Sequence, residues 1–229
     1  MKKLLLLLSA MLIPFSNVQA QKLGSDDDPI RQMLFANQPL KELVKRTTLD
    51  GSTNNPFQTI TEASKLAEEG EKTDAVSKLR SVLQTQPPET RVELFVWSGL
   101  RELGEKPDPK SGTEVLGVII EVPMSGGYDT LAAYADGSAR YLNYSGSGIF
   151  WDKPDDIIKS LCTNFIKSTL PASGSAKPRN GVSLPKTGTQ VTLLTRSGNY
   201  VITAPPESVM NAGAKLMIEL IHRSKEKKS

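Results

Sequence analysis

Val115-Leu116-Gly117-Val118-Ile119-Ile120-Glu121-Val122 is a nearly continuous apolar run. Its β-branched residues and its shortness predict a buried central strand. Such a strand needs partners, and the following sequence supplies them. Gly126-Gly127 turns the chain, and residues 130–135 and 139–144 flank Asp136-Gly137, a strong short hairpin signal. Ser145-Gly146-Ser147-Gly148 makes another turn before Ile149-Phe150-Trp151. A second hairpin is expected where residues 190–195 and 200–203 flank Ser197-Gly198. Two amphipathic helices complete the set. Residues 154–170 would bury Ile157, Ile158, Leu161, Cys162, Phe165 and Ile166. Residues 206–223 would bury Val209, Met210, Leu216, Met217, Leu220 and Ile221. Hairpin connections imply an antiparallel sheet with helices packed on it, an α+β domain over residues 113–224. Residues 171–188, rich in Pro, Ser and Gly and carrying Lys177, Arg179 and Lys186, read as a mobile excursion or binding loop.

Upstream of a linker at residues 105–112 the period changes from extended to helical. Three stripes at spacings of three and four residues predict three helices over residues 56–104. They run through Ala63, Leu66 and Ala67; through Ala75, Val76, Leu79, Val82 and Leu83; and through Val92, Phe95, Val96, Gly99, Leu100 and Leu103. Gly70 stands five residues before Ala75, and Ala75, Leu79, Val82 and Pro87 have the offsets of the second helix of a tetratricopeptide repeat. Residues 56–89 therefore resemble one such repeat. The match departs from the family at Thr59 and Leu66, where large aromatics are usual. The resemblance implies a helical hairpin of a scaffold type; one hairpin and a third helix form a small bundle rather than a solenoid groove. The order of elements in the C-terminal half is similar to profilin-like or roadblock-like sandwiches. Its Asp136-Gly137-Ser138-Ala139-Arg140-Tyr141 string, with Tyr144 and Gly146, resembles a group of bacterial secreted proteins of unknown activity.

The start of the chain reads as an address. Lys2 and Lys3 precede an apolar segment at residues 4–13, and Asn17-Val18-Gln19-Ala20 ends on a small residue. The expectation is a secretory signal peptide of bacterial type over residues 1–20, cut after Ala20, with a periplasmic or extracellular destination. Its apolar part is too short to span a hydrocarbon core, so no integral membrane span is expected after cleavage. Residues 21–55 are polar and broken by Gly24, Asp26-Asp27-Asp28-Pro29, Pro39 and Asp50-Gly51. They read as a loose leader with short helices beginning near Pro29 and Pro39.

Of 229 residues, 28 are basic and 25 acidic. Without the two signal lysines the mature net charge is +1, which leaves no electrostatic footprint for nucleic acid. The basic tail at residues 225–229 offers at most weak contact with an anionic surface. One cysteine and one histidine exclude a disulfide framework and a Cys/His zinc module, and no metal or cofactor is expected. Cys162, inside an apolar helical pattern, reads as a buried inert thiol. His222 lies at the end of the last helix, where a cation complements the helix C-terminus. No Gly-x-Ser-x-Gly elbow follows a strand, and Ser145-Gly-Ser-Gly is not followed by a helix, so neither a serine hydrolase nor a phosphate cradle is indicated. No catalytic residue is assigned.

Glu121 interrupts the central apolar run. It must face solvent, pair with a cation or serve a site; Arg140, on the neighbouring hairpin, is the expected partner. The aromatic group Tyr128, Tyr134, Tyr141, Tyr144, Phe150 and Trp151 is the richest in the chain. By alternation Tyr144 and Arg140 share one strand face and Tyr141 the other. Arg140, Tyr141, Tyr144, Trp151 and Glu121 are the candidate binding residues. The expected function is non-catalytic binding of a protein partner, or self-association. The alternatives are a periplasmic immunity or inhibitor protein, and a small carboxylate-dependent hydrolase of envelope carbohydrate centred on Glu121.

Overall fold

A computed structural model of the protein describes residues 29–42, 56–84 and 89–226. The segment read as a signal peptide, the Asp26-Asp27-Asp28 run and the end of the basic tail lie outside the described residues.

The apolar run becomes β1 (Gly117–Met124), the middle of a seven-stranded sheet. The others are β2 (Gly127–Tyr134), β3 (Ala139–Leu142), β4 (Gly148–Trp151), β5 (Lys177–Pro178), β6 (Gln190–Thr195) and β7 (Gly198–Ile202). Their order is β4-β3-β2-β1-β6-β7-β5, and every pairing is antiparallel. Register divides the side chains cleanly, because the residues directly opposite each other on neighbouring strands share a face. Val118, with Ala133 and Leu193, and Ile120, with Leu131 and Val191, point to one side. Ile119, with Ala132, and Gly117, with Tyr134 and Leu194, point to the other.

Both faces are covered, so the fold is a mixed α+β arrangement in three layers. On the Ile120 side lie α6 (Asp156–Thr169) and α7 (Glu207–Glu226), which bury Ile158, Cys162, Phe165, Val209, Leu216 and Leu220. The α6 start is set by Asp155, whose carboxylate accepts the amides of Ile157 and Ile158. Ile157, expected inside, is exposed. On the Ile119 side lies the helical layer: α1 (Pro29–Leu34), α2 (Pro56–Glu68), α3 (Lys72–Gln84), α4 (Thr90–Glu102) and the short α5 (Pro109–Gly112). Gly70, at φ 87°, turns α2 into α3; its amide and that of Glu71 take the carbonyls of Ala67 and Leu66, a glycine-dependent helix stop. The fully buried Ala63 and Ala75 contribute no bulk where these two helices meet.

The leader is not loose where it is described. Leu34, Phe35, Ala36 and Leu40 are buried between the helical layer and the sheet, and Arg31 has no exposed surface at all. Its backbone is tied at long range. Tyr134 Oη donates to the Leu34 carbonyl (2.8 Å), Asn199 Nδ2 to that of Phe35 (3.3 Å), and the Leu40 amide donates to Glu102 Oε2 (3.0 Å). A Cβ added at Gly99 would lie 2.5 Å from Leu40, so α4 carries a glycine where the leader crosses it. Polarity averaged over residues 21–55 hid this short apolar plug.

Residues 171–188 also depart from the expected excursion. A 3-10 turn (Leu170–Ser175) leads into β5, whose Lys177 and Pro178 pair with Val201 and Tyr200. The Arg179 amide then donates to Asn199 O (2.8 Å), and Tyr128 Oη donates to Pro185 O (2.6 Å). This segment closes one edge of the sheet.

Helical layer and sheet meet at the Asp136-Gly137 hairpin. Asp136 Oδ2 accepts the Thr90 amide (2.8 Å) at the start of α4, and Thr90 Oγ1 accepts the Asp136 amide (3.1 Å). The turn residue of one unit thereby caps the helix of the other.

Candidate functional site

Glu121 projects from β1 into the helical layer and is fully buried. Its carboxylate is held by two arginines that sequence reasoning did not connect to it. Arg31 places Nε at 2.7 Å and Nη2 at 2.5 Å from Oε1, and Arg179 places Nη1 at 3.2 Å from Oε2. Both guanidiniums lie over the Phe35 ring, at 5.2 and 4.6 Å from its centroid. Arg179 also donates to Thr192 Oγ1 and, at 2.6 Å, to Ser183 O. Arg140 is not the partner. It shares the sheet face of Glu121, but β2 lies between their strands, and its guanidinium is turned to Asp152 instead. Closed to solvent and matched by cations rather than by a second carboxylate, Glu121 offers a glycoside bond neither access nor an acid-base pair.

The other candidate residues separate into buried and exposed. Arg140 is buried and donates to Asp152 Oδ1 and, at 2.8 Å, to Ala139 O. Desolvation, with Arg91 nearby, lowers its pKa. Arg91 pairs with Glu89, lies 3.8 Å from Asp152 and stands over the Tyr134 ring. Tyr141 and Trp151 face α6 and α7 and are buried too. Burial, aided by the hydrogen bond that Tyr141 Oη donates to Asp129 Oδ2 (2.9 Å), pushes the Tyr141 phenol up to about 12. Cys162 is a buried thiol, pushed up to about 12 by desolvation. Of the five candidate binding residues only Tyr144 is exposed, at 43%.

The sequence concealed a more exposed aromatic than Tyr144: Phe150 on β4, 50% exposed. β4 is one end of the sheet. The Asn143 amide donates to Ser147 O (2.9 Å), so that pair is a hydrogen-bonded one. Alternation makes Tyr141 with Ile149, and Ala139 with Trp151, hydrogen-bonded as well. The backbone N–H and C=O of Gly148 and Phe150 consequently point away from β3. The Phe150 ring lies across Gly148, where a Cβ would come within 2.8 Å of it, and faces the Arg140 guanidinium at 5.7 Å. Tyr144 lies past the end of β3, where its amide donates to Asp129 Oδ1 (2.9 Å). Strict two-residue alternation marks Phe150 only as opposite in face to Trp151; that β4 is an outer strand is a tertiary fact no local pattern carries.

Comparison with protein-family models, with curated proteins and with solved structures gave no match. Among the described residues no helix is long and apolar enough to cross a membrane.

Proposed function

We propose that this is a secreted or periplasmic, non-catalytic protein-binding protein that takes up an extended segment of its partner along β4. The observation that carries the reading is the outward-facing backbone of Gly148 and Phe150, with the exposed Phe150 ring on the same strand and the exposed Tyr144 in the turn before it. Strand addition gives affinity through main-chain hydrogen bonds and specificity through side chains at alternate positions. Aromatic residues are the commonest anchors at such interfaces. Helical layers cover both faces of the sheet, and the opposite edge is the two-residue β5 with Pro178, a blunted edge. Among the described residues β4 is therefore the edge available for pairing. The α2–α3 hairpin is read as a single tetratricopeptide-like unit serving as a structural layer instead of a groove. An envelope enzyme inhibited by this chain would be one class of partner.

The test is capture from the cell envelope with the chain beginning at Gln21, followed by titration of the purified partner. Phe150→Lys and Tyr144→Ala are each expected to weaken binding at least tenfold, as truncated aromatic anchors do, with the far-UV spectrum unchanged. A partner that binds both variants as tightly as the parent chain would refute the β4 assignment.

A further inference from the structure

Where the leader crosses the C-terminal end of α4, an open depression of about 520 Å³ lies between them. Ser98, Arg101 and Glu102, spaced i, i+3 and i+4 and so on one helix face, supply one side. Asn37, Gln38 and Pro39 of the leader supply the other. Five of these six residues carry polar side chains, so a guest here is recognised by hydrogen bonds and charge.

Several of those side chains are incompletely used. Gln38 is only 8% exposed, yet its amide makes no hydrogen bond among the described residues, and Oε1 is enclosed without a partner. Nearly all buried side-chain amides are paired, so this one marks a place for a group from outside the chain. The half-buried Arg101 is fixed by two neutral acceptors: Nη1 donates to Arg196 O (2.5 Å) and Nη2 to Asn37 Oδ1 (2.7 Å). That second bond leaves Asn37 Nδ2 as a further donor without a partner among the described residues. Desolvation lowers the Arg101 pKa, as it does for a cation that no anion compensates. Glu102 Oε2 accepts the Leu40 amide (3.0 Å), and Oε1 has no partner among the described residues. Neither Arg101 nor Glu102 forms an ion pair there.

A bare anion would satisfy Arg101 and the two amides but would meet the charge of Glu102. A bare cation would meet that of Arg101. A molecule bearing both charges satisfies the whole set. We propose that this depression binds a small zwitterion, an amino acid whose carboxylate is taken by Arg101 with the amide nitrogens of Asn37 and Gln38, and whose ammonium is taken by Glu102. Arg101 and Asn37 already hold each other in place, so binding has few groups left to order. The inference does not depend on partner binding at β4.

Amino acids with adjacent and with more widely separated charges share this chemistry. The probes are therefore glycine, β-alanine, N-acetylglycine and glycinamide, titrated into the full mature chain labelled with ¹⁵N. The two zwitterions are expected to shift the side-chain amide resonances of Asn37 and Gln38 and the Nε–H of Arg101. N-acetylglycine and glycinamide, each lacking one charge, should bind at least tenfold more weakly, the difference a hydrogen bond to a charged group makes. Tighter binding of glycine assigns the site to α-amino acids, and tighter binding of β-alanine to those with a longer spacing. Glu102→Gln keeps an oxygen for the Leu40 amide and should erase the preference for glycine over N-acetylglycine. Gln38→Met removes the unpaired amide; it should weaken glycine binding about fivefold while leaving the urea midpoint unchanged or higher, which a structural amide would not allow. Absence of these shifts at millimolar glycine and β-alanine, N-acetylglycine or glycinamide binding as tightly as the zwitterions, an unchanged preference in Glu102→Gln, or undiminished binding by Gln38→Met would overturn the proposal.

Discussion

Replacing Glu121 by glutamine should be among the most destabilising single changes this fold can suffer while keeping its shape. The side chain and that of Arg31 have no exposed surface, and Arg179 is nearly as buried. One negative charge there is shared by two positive ones, three contacts in all at 2.5, 2.7 and 3.2 Å. Glutamine preserves the volume but leaves two guanidiniums facing Phe35 with no anion. Breaking a buried ion pair by removing one partner costs about 3–5 kcal/mol, a large part of a total stability of about 5–15 kcal/mol. With a urea slope of about 2.5 kcal/mol per molar, the midpoint should fall by about 1–2 M. Trp97 in the helical layer and Trp151 in β4 allow the transition to be followed by fluorescence from both sides of the sheet. A combined Arg31→Met, Glu121→Met, Arg179→Met chain should be more stable than Glu121→Gln, because it removes the stranded charges as well as the pairing. A Glu121→Gln midpoint within about 0.3 M of the parent chain would refute the claim that this carboxylate neutralises the two arginines.

Three further outcomes are expected. Asp136→Ala removes the acceptor for the first amide of α4 and should cost about 1–2 kcal/mol in thermal or urea unfolding; a loss confined to helical signal, with the sheet melting unchanged, would contradict its role as a joint. Burial raises the phenols of Tyr134 and Tyr141 from 10.0 to about 12. The folded state thus holds protons that the unfolded state has released, and stability present below pH 10 should be lost as pH rises towards 12. Absorbance of their phenolates should accompany unfolding, and a Tyr141→Phe chain should show a shallower alkaline decline. Cys162, buried and pushed up to about 12, should resist a thiol reagent at pH 8 in the native chain and react fully in denaturant; rapid native labelling would place the thiol elsewhere.

The strands, hairpins and long helices were legible because each carries a local signature: the run at residues 115–122, Asp136-Gly137 between alternating strands, and stripes at helical spacing. The Asp136 turn was visible as a turn, but its second role at Thr90, 46 residues away, was not. Glu121 was recognisable as an anomaly, and its burial in an ion cluster follows from its place in an apolar strand. Its partners were not readable, since they come from 90 residues upstream and 58 downstream. Arg179 did carry a signal, a lone arginine in a Pro/Ser/Gly segment. Arg31 carried none that distinguishes it from a solvated helix residue. The plug at residues 34–40 spans too few turns to establish a period, so only the groove it fills reveals its role. For the candidate site the alternation named Tyr144 but put Arg140 on the same open face, whereas both sheet faces are covered and all of β3 is buried; the outermost position of β4 emerges only when strand order is known.

The seat of the leader has a consequence in time. Leu34 is hydrogen-bonded to Tyr134, and Phe35 to Asn199, 164 residues further along. A ribosome adding about 5–20 residues per second needs roughly 8–33 s between making the two ends of that last bond. The earliest synthesised apolar cluster of the folded body can meet α4 early but completes its packing only with the latest strand. Closure of the helical layer over the sheet is an event of the finished chain, not of the growing one, and contacts of such separation make it a slow one.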